Sequence, residues 1–528
     1  MRFLTVEQMR AADAAAVNEL NSPGGLLMRR AGTAVARVAE KLAALRGTRS
    51  AVVVAGHGNN GGDACVAARC LYEDGYHVQV IMTCVPALLK GDAREAWDEM
   101  RTAGVPYVVL ASEASWREDA DVSAGTVLRQ GVLIDGVLGT GCKGAPSGAA
   151  ECAIHWINRM RRHALVAAID LPSGMDGNTG EAAGACVLAD VTVTFARPKR
   201  CFLSAGGAER SGHLLVADIG IPDAICDRGA AEAPCQLIAL PEIVRRFPER
   251  PWAAHKGSFG HVCVLGGSAG YCHAPVLAAL GAVRSGAGLV TLAAPAASGC
   301  AAAAHVPEAM AYALDAPAGA LSTASLEAWG RDLSDFDALV LGPGLGCSEG
   351  ARELVARVLA SFGGRLVLDA DGLNALAALR AGGWQPRAGQ RLVITPHPGE
   401  AARLLGVTPQ EVQADRLTAV RKLADQYQAA TVLKGAGTLV CEPGGTPRLN
   451  LTGNPGMASG GTGDVLAGML GALWAQGLEA ADAAAIAVWA HGTAGDFAAF
   501  AGSRTALGAT ALVERLAEVY QLIERKTM

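Results

Sequence analysis

The chain has 528 residues, a net charge of -5 from 45 Lys and Arg against 50 Asp and Glu, and an isoelectric point near 6.1. That length exceeds one ordinary core and predicts two domains, while the mild acidity without a long basic run excludes a surface built for nucleic acid or anionic membrane. A composition of 51% hydrophobic but only 5% aromatic residues suits closely packed α/β layers and leaves small-molecule chemistry as the field of function.

The first segment, M-R-F-L-T-V-E-Q-M-R-A-A-D, breaks its apolar residues with charge and offers no small-residue cleavage site, so it does not read as a signal peptide. No apolar run reaches the roughly 18 residues of a membrane helix. The 14 cysteines stand singly, without a C-x-x-C pair or zinc spacing, and read as buried thiols in a reducing compartment, the cytoplasm.

Continuous β-branched runs then recur between helical patterns: Ala51 to Ala55, Val78 to Met82, Val132 to Asp135, Leu165 to Asp170 and Val191 to Phe195. Runs without alternation predict strands buried on both faces, hence a parallel sheet. After the first comes G-H-G-N-N-G-G-D, Gly56 to Asp63, a strand, turn and helix unit without the G-x-G-x-x-G spacing of a dinucleotide fingerprint. A neutral oxygen such as that of Asn60 suits a hard cation as well as a substrate hydroxyl, and asparagine also tolerates a left-handed turn. Asp135 precedes G-V-L-G-T-G-C-K-G-A-P, and Asp170 opens D-L-P-S-G-M-D-G-N-T-G. Carboxylates at the ends of neighbouring strands give either a cation site or an acid/base pair. Asp176 fits a simple turn before Gly177 equally well.

These three motifs, in this order, resemble the YjeF N-terminal domain, the NAD(P)H-hydrate epimerase family, over nearly the whole first half. The resemblance implies a Rossmann-like three-layer αβα domain over residues 1–225. In it Asn59, Asn60, Gly61, Gly62 and Asp63, with Gly139, Thr140, Gly141, Cys142, Lys143, Gly144 and Ala145, would line a hydrated nicotinamide nucleotide. It also implies potassium on Asn60, Asp135 and Ser173, and Asp170 against the substrate near its reacting carbon.

Periodicity closes near Leu214 to Ile219, and the weakly patterned stretch through 223–234 predicts the domain boundary. A second series of strands follows at Val262 to Leu265, Leu289 to Leu292, Ala338 to Leu341, Arg365 to Asp369, Leu392 to Thr395 and Thr431 to Lys434. Their ends carry G-G-S-A-G-Y-C-H-A-P, G-P-G-L-G, L-D-A-D-G-L-N-A-L, T-P-H-P-G-E and L-K-G-A-G-T, with H-K-G-S-F-G ahead of the first. Last comes N-P-G-M-A-S-G-G-T-G-D, Asn454 to Asp464, before an apolar helix. Gly460, Gly461 and Gly463 clear the backbone N–H groups for an anion at the positive end of the helix dipole. A carboxylate there is repelled by polyphosphate, so Asp464 reads as the base for a hydroxyl nucleophile, against the plainer reading of an N-cap.

This set resembles the ribokinase-like fold, and within it the ADP-dependent NAD(P)H-hydrate dehydratase branch, over residues 236–528. By that resemblance Lys434, Gly435, Ala436, Gly437, Thr438 and Gly463 hold ADP, while Ala274, Gly344, His397 and Asp464 face the hydrated nicotinamide. His397, set between two prolines, either fixes a loop or offers a ring donor. Lys434 is either a solvated strand-end charge or a phosphate ligand.

Taken together, the resemblances imply repair of NADHX and NADPHX. The first domain would exchange the R and S epimers; the second would dehydrate the S form, with magnesium bridging the phosphates as ADP becomes AMP and phosphate. They imply a homo-oligomer with no nucleic-acid or membrane partner. Two rivals are a ribokinase-like small-molecule kinase, which would release a stable phosphorylated product, and a first domain that only binds nucleotide and regulates the second.

Overall fold

The computed structural model describes residues 1–19, 24–124, 131–229, 235–316 and 319–527. It divides into two units, Met1–Ala233 and Pro234–Met528; residues 230–234 of the expected boundary lie outside the described residues.

In the first unit, continuous apolar runs form seven strands: β1 (Ser50–Ala55), β2 (His77–Met82), β3 (Tyr107–Val109), β4 (Val132–Gly136), β5 (Leu165–Ile169), β6 (Val191–Phe195) and β7 (His213–Ala217). They make one parallel sheet in the order β3-β2-β1-β4-β5-β6-β7. Side chains along β1 alternate between two cores. Val53 and Ala55 meet the helices Gly24–Leu45 and Asn59–Glu73, whereas Val52 and Val54 meet Glu113–Ala124 and Gly148–Met160. The unit is therefore a three-layer αβα sandwich. Because the chain order reverses between β1 and β4, a crevice opens beyond their carboxyl ends, where a doubly wound sheet binds its ligand.

The second unit holds β8 (Gln236–Leu237), β9 (His261–Leu265), β10 (Leu289–Pro295), β11 (Met310–Leu314), β12 (Ala338–Leu341), β13 (Arg365–Leu368), β14 (Leu392–Ile394), β15 (Ala430–Leu433), β16 (Thr438–Cys441) and β17 (Arg448–Asn450). Their order is β11-β10-β9-β12-β13-β14-β15-β16-β17-β8, which again reverses between β9 and β12. The expected parallel series ends at β15, since β15, β16 and β17 pair antiparallel. The four-residue link between β15 and β16 can turn back so tightly because Gly435 and Gly437 take φ of 134° and 68°.

Strands β3, β8, β11, β16 and β17 stand outside the runs expected from the sequence. A search for continuous apolar runs finds strands covered on both faces, and β3 is a short, partly exposed edge, β11 a largely exposed one, while β8 has only two residues. Of the cysteines expected to be buried, Cys300 and Cys347 are exposed. Two helices of the second unit touch backbone to backbone. A Cβ on Gly281 of helix Ala274–Arg284 would lie 2.3 Å from the Val465 carbonyl oxygen, and one on Gly468 of helix Thr462–Ala475 would lie 1.8 Å from that of Ala278. This contact places the start of one helix, Ala274, in fixed relation to the start of the other, Asp464.

Candidate active sites

The first site begins where β1 ends and the chain turns into helix Asn59–Glu73. Several of its glycines serve packing. A Cβ on Gly56 would meet the Val137 carbonyl oxygen at 1.9 Å, one on Gly61 that of Gly56 at 2.0 Å, and one on Gly62 the Met28 sulfur at 2.6 Å. Gly141, Lys143, Gly144 and Ala145 are exposed, and Gly144 has open space where a side chain would stand. Thr140 offers its carbonyl to Arg10 at 3.0 Å, and the Cys142 amide closes the turn onto Gly139 at 3.1 Å.

Asn60, Asp135 and Ser173 come together. Asn60 Nδ2 donates to the Leu138 carbonyl at 3.0 Å, and the Leu138 amide donates to Ser173 Oγ at 2.8 Å. Asp135, fully buried, accepts from Ser173 Oγ at 2.6 Å and Ser173 N at 2.8 Å. Burial pushes its carboxyl up to about 6, against the hydrogen bonds from Ser173 and Val137. A buried carboxylate with no cationic side chain against it among the described residues, beside an amide, a hydroxyl and a carbonyl oxygen, is a donor set that fits a hard monovalent cation.

Asp170 follows β5 in a left-handed conformation, φ 62°, uncommon for a residue with a side chain. Its Oδ1 accepts from Thr194 Oγ1 at 3.0 Å and from the Lys199 ammonium. Lys199, 1% exposed, also donates to Thr194 Oγ1 at 2.9 Å and the Phe195 carbonyl at 3.2 Å. Asn59 opens the helix on the surface, whereas Asp63, one turn on, is buried. Burial, then Asp170 and Asp13, push Asp63 well above the usual carboxylate range, and burial lifts Asp13 to about 6. Asp13 and Lys199 were missed by sequence reasoning: neither stands in a glycine motif, and only the fold carries them to Asp170. Asp176 is a turn residue, accepting from Asn178 N at 3.0 Å and Thr179 N at 2.8 Å.

In the second unit, Gly461 takes φ 92° and caps helix Thr462–Ala475, so Asp464 is its third residue and the N-cap reading of Asp464 is corrected. The loop before it is held by Asp496 of helix Ala480–Ala501 and by Thr462 at the helix start. Asp496 accepts from Gly453 N at 2.9 Å and Asn454 Nδ2 at 3.0 Å, and Thr462 Oγ1 donates to the Met457 and Ser459 carbonyls, both at 3.0 Å. Gly460 is exposed with open space around it.

Lys434, at the end of β15, donates to Asp369 Oδ1 at 2.7 Å, stands 4.0 Å from Glu400, and lies 3.4 Å from where a methyl on Gly463 would sit. Burial alone would lower its pKa, but Asp369 and Glu400 turn the shift upward. Burial, then Asp369, lifts Asp464 to about 7 despite Lys434, and burial lifts Glu400 to about 7. His397 caps helix Pro398–Leu405 by accepting from Gly399 N at 3.0 Å and Glu400 N at 3.4 Å on Nδ1. Burial and then Lys434 lower its pKa, so the neutral ring carries its proton on Nε2, a fixed donor at the half-exposed edge of the site. A Cβ on Gly344 would meet the Tyr271 carbonyl oxygen at 2.6 Å and the Ala274 Cβ at 3.1 Å. Gly346 N in the same loop donates to Asp371 at 2.8 Å, and Asp371 in turn acts on Asp464.

In the loop expected to hold nucleotide, Thr438 Oγ1 donates to the Gly435 carbonyl at 3.0 Å, and Ala436 forms the tip. Arg416, another residue sequence reasoning missed, donates from one nitrogen to the carbonyls of Leu433, Lys434 and Gly437 at 3.1, 3.2 and 3.1 Å. Among the described residues no group of three or more His, Cys, Asp or Glu could hold a metal unaided, so a divalent ion here fits only with phosphate oxygens completing its shell.

Residues 24–201 match the family model described as YjeF-related protein N-terminus, and residues 262–517 that described as NAD(P)H-hydrate dehydratase. The bifunctional NAD(P)H-hydrate repair enzyme Nnr of Moorella thermoacetica is 38% identical over 100% of this chain and 98% of its own length. Its namesake in Escherichia coli is 34% identical over 89% and 84%. A crystal structure of the ADP/ATP-dependent NAD(P)H-hydrate dehydratase from Bacillus subtilis is 29% identical, with a TM-score of 0.47, over 55% of this chain and 99% of that one.

Proposed function

The chain belongs to the family of bifunctional NAD(P)H-hydrate repair enzymes, and we propose on that premise that it returns NADHX and NADPHX to the reduced cofactors in two steps. Residues 1–225 exchange the R and S epimers at the hydroxylated ring carbon. Residues 236–528 dehydrate the S form at the expense of ADP. Asp464 takes the proton of the ring hydroxyl as that oxygen attacks the β-phosphorus of ADP, and AMP leaves; phosphate then departs with the C6–O electron pair as C5 gives up a proton to solvent and the C5=C6 double bond forms. The open backbone at Gly460 to Gly463 meets the charge on the transferring group, and Lys434 to Thr438 hold the nucleotide. His397 Nε2 and the Ala274 and Gly344 backbone frame the nicotinamide.

Two ions belong to this reading. Potassium would sit on Asn60, Asp135 and Ser173, compensating the buried Asp135. Magnesium, held by phosphate oxygens near Asp369 and Glu400, would supply charge neutralisation on the polyphosphate. Both reactions suit the cytoplasm, where these cofactors turn over.

The observation that carries the reading is Asp464 itself: a partly buried carboxyl lifted to about 7, three residues into a glycine-opened helix and beside Lys434. A base poised near neutral pH suits a hydroxyl about to be phosphorylated. The test is incubation of the full chain with mixed-epimer NADHX, ADP and magnesium, following reduced-nicotinamide absorbance. Recovery of all the substrate is expected; a plateau at the S fraction removes the first activity, and a stable phosphorylated product makes the second unit a kinase.

A further inference from the structure

Asp63 is 8% exposed, and its carboxyl finds no hydrogen-bond donor among the described residues; the charged groups acting on it are Asp170, Asp13 and Lys199. Leaving a buried carboxyl without a partner costs stability that folding alone does not require. At the same carboxyl edge of the sheet, just after β5, Asp170 is held in strained backbone and fixed by Thr194 and the buried ammonium of Lys199. One carboxyl is thus paired with a cation, and the other, largely withdrawn from water, is given no donor by the protein, the arrangement that divides two like groups between base and acid.

We infer that Asp63 and Asp170 are the proton donor and acceptor of epimer exchange, with Lys199 and Asp13 as positioning residues, a reading that rests on the epimerase assignment of this unit. The hydroxylated carbon C6 adjoins ring nitrogen N1. Asp170 takes the hydroxyl proton, C6=O forms as the C6–N1 bond breaks, and its electron pair passes to N1, which takes a proton from Asp63. Rotation about C5–C6 turns the other face of the carbonyl to N1. Ring closure returns one proton to Asp63, and Asp170 gives the other back to the oxygen. Lys199 holds the Asp170 carboxylate in place, and the charge of Asp13 favours the protonated form of Asp63.

The full-length chain and its Asp63→Asn and Lys199→Met variants should be assayed for exchange by chromatographic separation of the epimers, across pH. In the wild type, exchange should fall on the alkaline side as Asp63 loses its proton, under the influence of Asp170, Lys199, Asp13 and the neighbouring Cys65 thiol. Asp63→Asn should lose about 10²- to 10⁴-fold in kcat with little change in KM, and its residual exchange should lack the alkaline fall. Lys199→Met should lose about 100-fold. Since the Met variant strands Asp170 and can unfold the unit, Asp63→Asn carries the decision, with conversion of the S form reporting an intact second site. Wild-type exchange in Asp63→Asn, or an alkaline fall that persists in it, overturns the proposal alone. A wild-type chain that does not exceed spontaneous exchange overturns the epimerase assignment and the proposal with it.

Discussion

Asp464 couples activity to stability with opposite signs. Its value of about 7 in the folded protein stands above the ordinary 3.8, so between those values the native state keeps a proton that the unfolded chain has released. Its contribution to stability therefore falls as pH rises through that window, and is least favourable above pH 7, where the base is ready to act. Asp464→Asn should lose dehydration by about 10²- to 10⁴-fold yet melt at a higher temperature at pH 8, a gain that shrinks toward pH 4; thermal melts at the two pH values measure it. Gly463 makes a second separation. A methyl there meets only Lys434 Nζ, at an ordinary 3.4 Å, and alanine favours the helix over glycine by about 0.5–1 kcal/mol. Gly463→Ala should thus resist urea better than the wild type while its KM for ADP rises, because the methyl stands where the anion must approach the backbone.

At the scale of elements, the crossing of helices Ala274–Arg284 and Thr462–Ala475 positions the second site. Gly468→Ala would drive a Cβ to within 1.8 Å of the Ala278 carbonyl oxygen, backbone that cannot step aside. Urea denaturation should show a loss of at least about 1–3 kcal/mol, and KM for the S substrate should rise because Ala274 and Asp464 move apart. The sequence already displayed the glycines, the central strands and the carboxylates that close them, since strands covered on both faces are written as unbroken apolar runs. What it could not display was which glycines face ligand and which face protein. Gly61 and Gly62 read as ligand-lining, and the structure adds a packing reason for their lack of side chain, since a Cβ there would meet the Gly56 carbonyl and Met28. Lys199, Asp13 and Arg416 carried no local pattern at all, because each acts on partners brought near only by folding.

At the scale of the whole molecule, each unit holds its own cluster of charged residues, so the two activities should be separable by single substitutions. Asp170→Ala would leave the buried Lys199 with neither counter-charge nor acceptor, a loss of about 3–5 kcal/mol; Asp170→Asn also removes the charge but keeps an amide oxygen that can accept from Lys199 and Thr194, so it is the better probe. With mixed-epimer substrate, Asp170→Asn should stop at the S fraction and Asp464→Asn should recover almost nothing. An equal mixture of the two full-length variants should recover all the absorbance, since one supplies epimer exchange and the other dehydration. Failure of the mixture would mean that the intermediate must stay with a single chain.

Arg416 gives the loop between β15 and β16 a front and a back. A peptide plane points its carbonyl and its amide hydrogen in opposite directions, and the guanidinium draws the Lys434 and Gly437 carbonyls to its own side. The amides of Gly435 and Thr438 are thereby turned to the other. The polarity of the loop is set before any ligand arrives, by a cation that never needs to touch the anion.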